Sequence, residues 1–120
     1  LAAANGRYVA ASPVSFRNAV VSSRWFTHGD FSDSLTQMPG EGAWPITMGT
    51  YAVVPKVAGE PERAARTLRF FLWAYDHGDA LARQARFSPL PEKVQASAFR
   101  ELSSVIGRNG EPIGLNALVR

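Results

Sequence analysis

Two short triplets carry the residues best suited to chemistry, His28-Gly29-Asp30 and His77-Gly78-Asp79. An imidazole with a carboxylate two residues away can be oriented for general-base work. A working unit also needs a nucleophile and donors for developing negative charge, and the sequence spacing supplies neither. Both triplets have a sufficient structural explanation as turns or helix junctions, so no catalytic residue is assigned and no enzyme activity is expected. Two histidines without any cysteine make a poor metal set, and no carboxylate spacing resembles a ligand motif. No metal and no cofactor is therefore expected. Pro39-Gly40-Glu41-Gly42-Ala43 comes nearest to a phosphate-cradling loop. Its glycine spacing is wrong, no Lys-Ser/Thr pair follows, and Glu41 would repel an anion. The aromatic run from Phe70 to Tyr75 has the spacing of a helix core rather than of a ligand cage.

The elements that must position these residues belong to a chain of 120 residues, enough for one domain. Apolar residues make up 46% and charged residues 19%, which suits a buried core and excludes a disordered chain. No apolar run approaches the ~18 residues of a membrane helix. The absence of cysteine excludes a disulfide scaffold and a thiol nucleophile. No period of the length found in solenoids repeats. Thirteen basic against ten acidic residues give a net charge of +3, and eleven of the thirteen are arginine. Arg63, Arg66 and Arg69, with Arg83 and Arg86 further on, fit the solvated face of a helix. No nucleic-acid partner is expected from so weak a footprint. The chain opens on Leu1-Ala2-Ala3-Ala4-Asn5 with neither methionine nor a signal-like segment, as a piece of a longer or processed chain would.

Ser12-Pro13 reads as N-cap and first helical residue, opening a helix to about Arg24 with Val14, Phe16, Ala19, Val20 and Val21 as its buried stripe. Residues 25–43 read as irregular, with Phe31 and Leu35 turned inward. Trp44-Pro45-Ile46-Thr47 reads as extended, because proline pushes its predecessor away from the helical region. Residues 50–54, Thr-Tyr-Ala-Val-Val, form the best strand pattern, closed by Pro55. Pro61 opens the longest helix, to about His77, with the stripe Ala64, Leu68, Phe71 and Tyr75. Ala65 and Leu72 widen that stripe. Phe70 and Trp73 lie off it and predict a second half buried nearly all round. Gly78 reads as a left-handed stop, and Asp79 as the cap of a short helix to about Arg86. Pro91 reads as the first residue of a last helix to about Val105, with the stripe Val94, Ala98 and Leu102, followed by a turn at Asn109-Gly110 and a frayed tail. The class is α/β, with one main strand and three to four helices.

Several stretches, in order, resemble one family. Residues 34–47, Ser-Leu-Thr-Gln-Met-Pro-Gly-Glu-Gly-Ala-Trp-Pro-Ile-Thr, are similar to a Leu-Thr-Asn…Pro-Gly…Ala-Trp-Pro-Ile-Thr stretch in the phosphate-binding protein of bacterial phosphate ABC transporters. The strand pattern at residues 50–55 resembles the one that follows there. Residues 68–80, from Leu68 to Ala80, resemble the end of that family's long helix, although Leu72 stands where the family carries an acid. Residues 88–94, 110–113 and 6–12 resemble three further stretches, and Ala11 stands where proline is usual.

The resemblance implies the C-terminal third of a class II periplasmic binding-protein fold, with two α/β lobes and ligand held between them. It divides the chain into residues 1–43 ending the second lobe, 44–55 as hinge crossover and returning strand, 56–113 as C-terminal helices of the first lobe, and 114–120 as tail. It implies inorganic phosphate and membrane ABC permease subunits as partners, and a periplasmic or cell-envelope location. No phosphate ligand of the family has a counterpart in this sequence, so none is carried over. A hinge role passes only to Trp44, Pro45, Ile46 and Thr47. The competing reading is a free-standing module of the same fold that binds no ligand and self-associates, as a homo-oligomer, through exposed core surface.

Overall fold

In the computed structural model, which describes residues 1–119, the chain is built around two hydrophobic cores strung along an elongated body of 53 × 27 × 18 Å. The first helix, α1 (Pro13–Val21), starts where the sequence places it. The Ser12 hydroxyl accepts from the Ser15 N–H at 3.1 Å and the Ser15 hydroxyl accepts from the Ser12 N–H at 2.9 Å, a reciprocal cap that satisfies two otherwise orphaned donors. Ser15, Ala19 and Val20 face inward, whereas Val14 is exposed.

The helix expected to reach Arg24 is broken in two. The Ser22 and Ser23 hydroxyls donate to the Ala19 and Val20 carbonyls, and the Ser23 hydroxyl also accepts from the Trp25 N–H. These local bonds compete with helix continuation. They restart the chain as α2 (Arg24–Thr27).

No helix or strand follows until β1 (Val57–Ala58). Then come α3 (Pro61–His77), α4 (Asp79–Gln84), α5 (Glu92–Ser103), β2 (Ile106–Gly107) and α6 (Ile113–Val119). The two strands pair in parallel, Val57 opposite Ile106 and Ala58 opposite Gly107, with α3 to α5 as the crossover that parallel pairing requires. An isolated antiparallel bridge joins Ala2 to Tyr8. The first core gathers Ala58, Leu68, Leu72, Val105, Ile113 and Ala117. The second gathers Val20, Trp25, Leu35 and Val94. Helix α5 serves both, since Val94 lies in the second core while Phe99 and Leu102 pack on the first.

The α/β class holds, with differences in its parts. Among the described residues six helices are present rather than three to four, and the strands are two residues each. Residues 50–54 are not a strand: they find no neighbouring strand, and the paired residues lie further on, at 57–58. Phe70 and Trp73 are exposed, so the second half of α3 buries one stripe and not its whole circumference. Gly78 is right-handed, with φ −85°, and does not stop α3 by a left-handed turn. Its glycine is needed for space, because a Cβ there would stand 2.3 Å from the Ala74 carbonyl oxygen. Helix α4 ends at Gln84, and Arg86 takes a positive φ of 63°.

The expected frayed tail is instead helical as far as Val119, while Arg120 lies outside the described residues. Ile113 and Ala117 enter the first core and the Gly114 N–H donates to the Val105 carbonyl at 2.9 Å. Two substitutions on α3 separate its faces. Leu68, fully buried, should lose about 2–5 kcal/mol on Leu68→Ala. Phe70→Ala should stay within about 0.5 kcal/mol. Urea denaturation of the two variants reads the contrast.

Candidate functional site

Trp44, Pro45, Ile46 and Thr47 sit where the irregular segment meets α1. The Trp44 N–H donates to the Ser15 carbonyl at 2.9 Å, and its indole meets Phe16 edge-on at 6.5 Å. Pro45 is fully buried, and its carbonyl accepts from the Gln37 N–H at 2.9 Å. The quartet is not extended as its proline suggested. Pro45 and Ile46 form a turn, closed where the buried Thr47 hydroxyl donates to the Trp44 carbonyl at 2.8 Å. Only Ile46 faces outward.

The next residues are fastened to the same body. Trp25, 3% exposed, lies with its ring against Gly49, where a Cβ would come within 2.3 Å of the indole. The indole N–H donates to the Asp33 carbonyl at 2.8 Å. Phe31 and Tyr51 meet the same ring edge-on at 5.4 and 5.5 Å, and the Tyr51 hydroxyl donates to the Phe31 carbonyl at 3.0 Å. Sequence reading missed this clamp. Its one available signal was an isolated glycine beside a β-branched run, which marks close approach of another group to the backbone.

Beyond the clamp, residues 46–52 form one wall of a cleft of about 760 Å³. Phe71, Tyr75, Ala82 and Phe87, from α3, α4 and the loop after it, line the opposite side. Burial pushes the phenols of Tyr51 and Tyr75 above their ordinary value.

Neither histidine triplet assembles a dyad. The His28 Nδ1 is hydrogen-bonded to the Thr27 hydroxyl at 2.6 Å. Asp30 turns away to Ser32 and Arg24. The Ser32 hydrogen bonds, with help from the Arg24 charge, hold its carboxyl below the usual range. The His77 ring stacks on Trp73 at 5.1 Å, while Asp79 accepts from Gln95 at 3.1 Å. Among the described residues no group of three histidines and carboxylates could hold a metal, and no helix is long and apolar enough to cross a membrane. Arg63 and Arg66 are exposed, with Arg63 3.8 Å from Glu60.

No family model matches the chain. Curated proteins do. Over 91 residues, 76% of this chain, it is 35% identical to a protein of Xylella fastidiosa named phosphate-binding protein PstS, of which the matched part is 25%. Over 107 residues, 86% of this chain, it is 31% identical to the protein of the same name in Pasteurella multocida, covering 31% of it. The Haemophilus influenzae protein of that name is 32% identical over 89 residues, 74% of this chain and 27% of the relative. The chain thus spans between a quarter and a third of the curated relatives it matches.

Gly49→Ala should force Trp25 off its seat, cost about 1–3 kcal/mol as overpacking does, and shift tryptophan emission to the red. The tyrosines predict a pH dependence. A phenol held neutral by burial stabilises the fold fully below its unfolded pKa of about 10, and that contribution is lost as pH rises through the higher folded value. Urea midpoints should therefore fall on the alkaline side, and Tyr75→Phe should flatten the fall.

Proposed function

Because this chain is related in sequence to a segment of the phosphate-binding proteins PstS, we propose that it is the C-terminal part of an extracytoplasmic phosphate-binding protein. In this reading the whole protein has the two lobes of a class II periplasmic binding protein. It holds inorganic phosphate between them and hands it to the membrane subunits of an ABC permease. The role is binding and delivery rather than catalysis. The observation that carries the reading is the 31–35% identity across three-quarters or more of this chain in the Xylella and Pasteurella proteins.

The segment's own part is structural. Residues 1–43 complete the second lobe, residues 44–55 cross between lobes, and residues 56–113 supply helices to the first, with α6 packed on them in place of a loose tail. Trp44, Pro45, Ile46 and Thr47 are the end of the hinge fixed to the second lobe. Their hydrogen bonds to Ser15 and Gln37, and the burial of Pro45, support that place. Residues 48–54 support it too. They carry strand-forming residues, and among the described residues no backbone group of theirs is hydrogen-bonded. A strand in this condition suits a sheet whose other strands come from elsewhere in a longer protein. The phosphate ligands come from residues outside this chain.

Titration calorimetry tests the reading on two samples. The 120-residue chain alone should give no saturable heat with inorganic phosphate. The Xylella relative, with its matched segment replaced by this chain, should bind phosphate with a 1:1 stoichiometry. Tight binding by the chain alone, or a folded chimera that ignores phosphate, overturns the proposal.

A further inference from the structure

Helix α6 has little to hold it in place by itself. It is seven residues long, too short to be stable alone. Only its Ile113 and Ala117 side chains enter the first core, while Leu115, Leu118 and Val119 face outward. The Gly114 N–H fastens its start to the Val105 carbonyl. Its remaining hold is on α3, whose Leu68 and Leu72 belong to the same core.

Two departures from the family likeness meet in that core. Residue 72 is leucine where the family carries an acid, and residues 114–120 follow the last stretch that carries the likeness, 110–113. They are far apart in sequence, yet Leu72, Ile113 and Ala117 are buried together. Arg69 adds a third observation. It stands three residues before Leu72 on α3, the spacing at which a carboxylate at 72 would be within reach as an ion-pair partner. With leucine there, the Arg69 Nε is buried and has no hydrogen-bond partner among the described residues. A buried donor left without an acceptor is rare enough to need a cause. Arg69 lies beside α6, where it shares with Ala65, Ile113 and Asn116 the wall of a cavity of about 380 Å³.

A carboxylate among Ala58, Leu68, Val105, Ile113 and Ala117 would be a charge in an apolar core, and lifting α6 away would let water and Arg69 reach it. Leucine at 72 without α6 would turn apolar surface to water. Leucine with the helix, or an acid without it, is each self-consistent, and the mixed pairings are not. We infer that α6 is a strap laid over α3 in place of an ion pair between residues 69 and 72, so that Leu72 and the seating of α6 depend on each other. Phosphate binding has no part in this.

The test uses the full 120-residue chain with Leu72→Asp, Ala117→Asp and both together. Backbone ¹⁵N relaxation should give order parameters of about 0.85 for α3 in every variant. For residues 114–119 they should fall below about 0.6 in all three variants and not in the unsubstituted chain. Urea midpoints should show that the substitutions do not add. Leu72→Asp lowers the midpoint of the original chain, but in the Ala117→Asp background, where the strap is already released, it lowers it no further. Three results overturn the inference: α6 stays ordered in Leu72→Asp, α3 loses its order together with α6, or the double variant falls below Ala117→Asp in its midpoint.

Discussion

The contact on which the N-terminal half depends is the seat of Trp25 on Gly49. A tryptophan is the largest apolar side chain available, and burying it to 3% exposure organises whatever surrounds it. Its ring gathers Phe31 and Tyr51, its N–H fixes the Asp33 carbonyl, and its outer edge needs a residue without a Cβ. Residues 28–56 contain neither helix nor strand, so this ring does for them what a sheet does elsewhere. The chain from α2 to Tyr51 is long and irregular, yet it is held at both ends of one side chain.

The C-terminal half is organised differently, by regular helices with a shared stripe. Helix α3 turns Leu68 and Leu72 inward, α6 answers with Ile113 and Ala117, and the short parallel pair closes one end. Glycines permit the close approaches. A Cβ on Gly114 would fall 2.2 Å from the Leu102 carbonyl, so α6 lies against the end of α5 at backbone distance. The two organising principles meet in α5.

What was legible in the sequence was local. The cap at Ser12, the extent of α3 and the turn at Asn109-Gly110 follow from residue types within a few positions of one another, while α5 begins one residue after Pro91, which caps it rather than opening it, and ends at Ser103. The family likeness was legible too, and the chain is 31–35% identical to proteins named phosphate-binding protein PstS over 76–86% of its length. What was not legible depended on distant neighbours. Residues 50–54 have the composition of a strand, but a strand exists only with a partner, and composition is silent on partners. Phe70 and Trp73 read as core because aromatic residues in a helix usually are, whereas their burial depends on what lies opposite. The short helix at Ile113 shows the converse. Seven residues have little helical stability of their own, and packing on α3 and α5 supplies it. The Trp44–Thr47 quartet was singled out by likeness, and its attachment to Ser15 and Gln37 became visible only in three dimensions.

Helix α5 also limits how this part of the molecule can change over evolutionary time. One end of it faces the second core through Val94, and the other faces the first through Phe99 and Leu102. Adding or deleting a single residue between those positions would rotate one end relative to the other by about 100°. Both cores would then have to be rebuilt at once. Length variation is far easier to accept in the loop at residues 85–91 or the turn at 108–111, where an insertion leaves that angular relation intact. Related sequences should therefore differ in length at those two places and keep the spacing from Val94 to Leu102 constant.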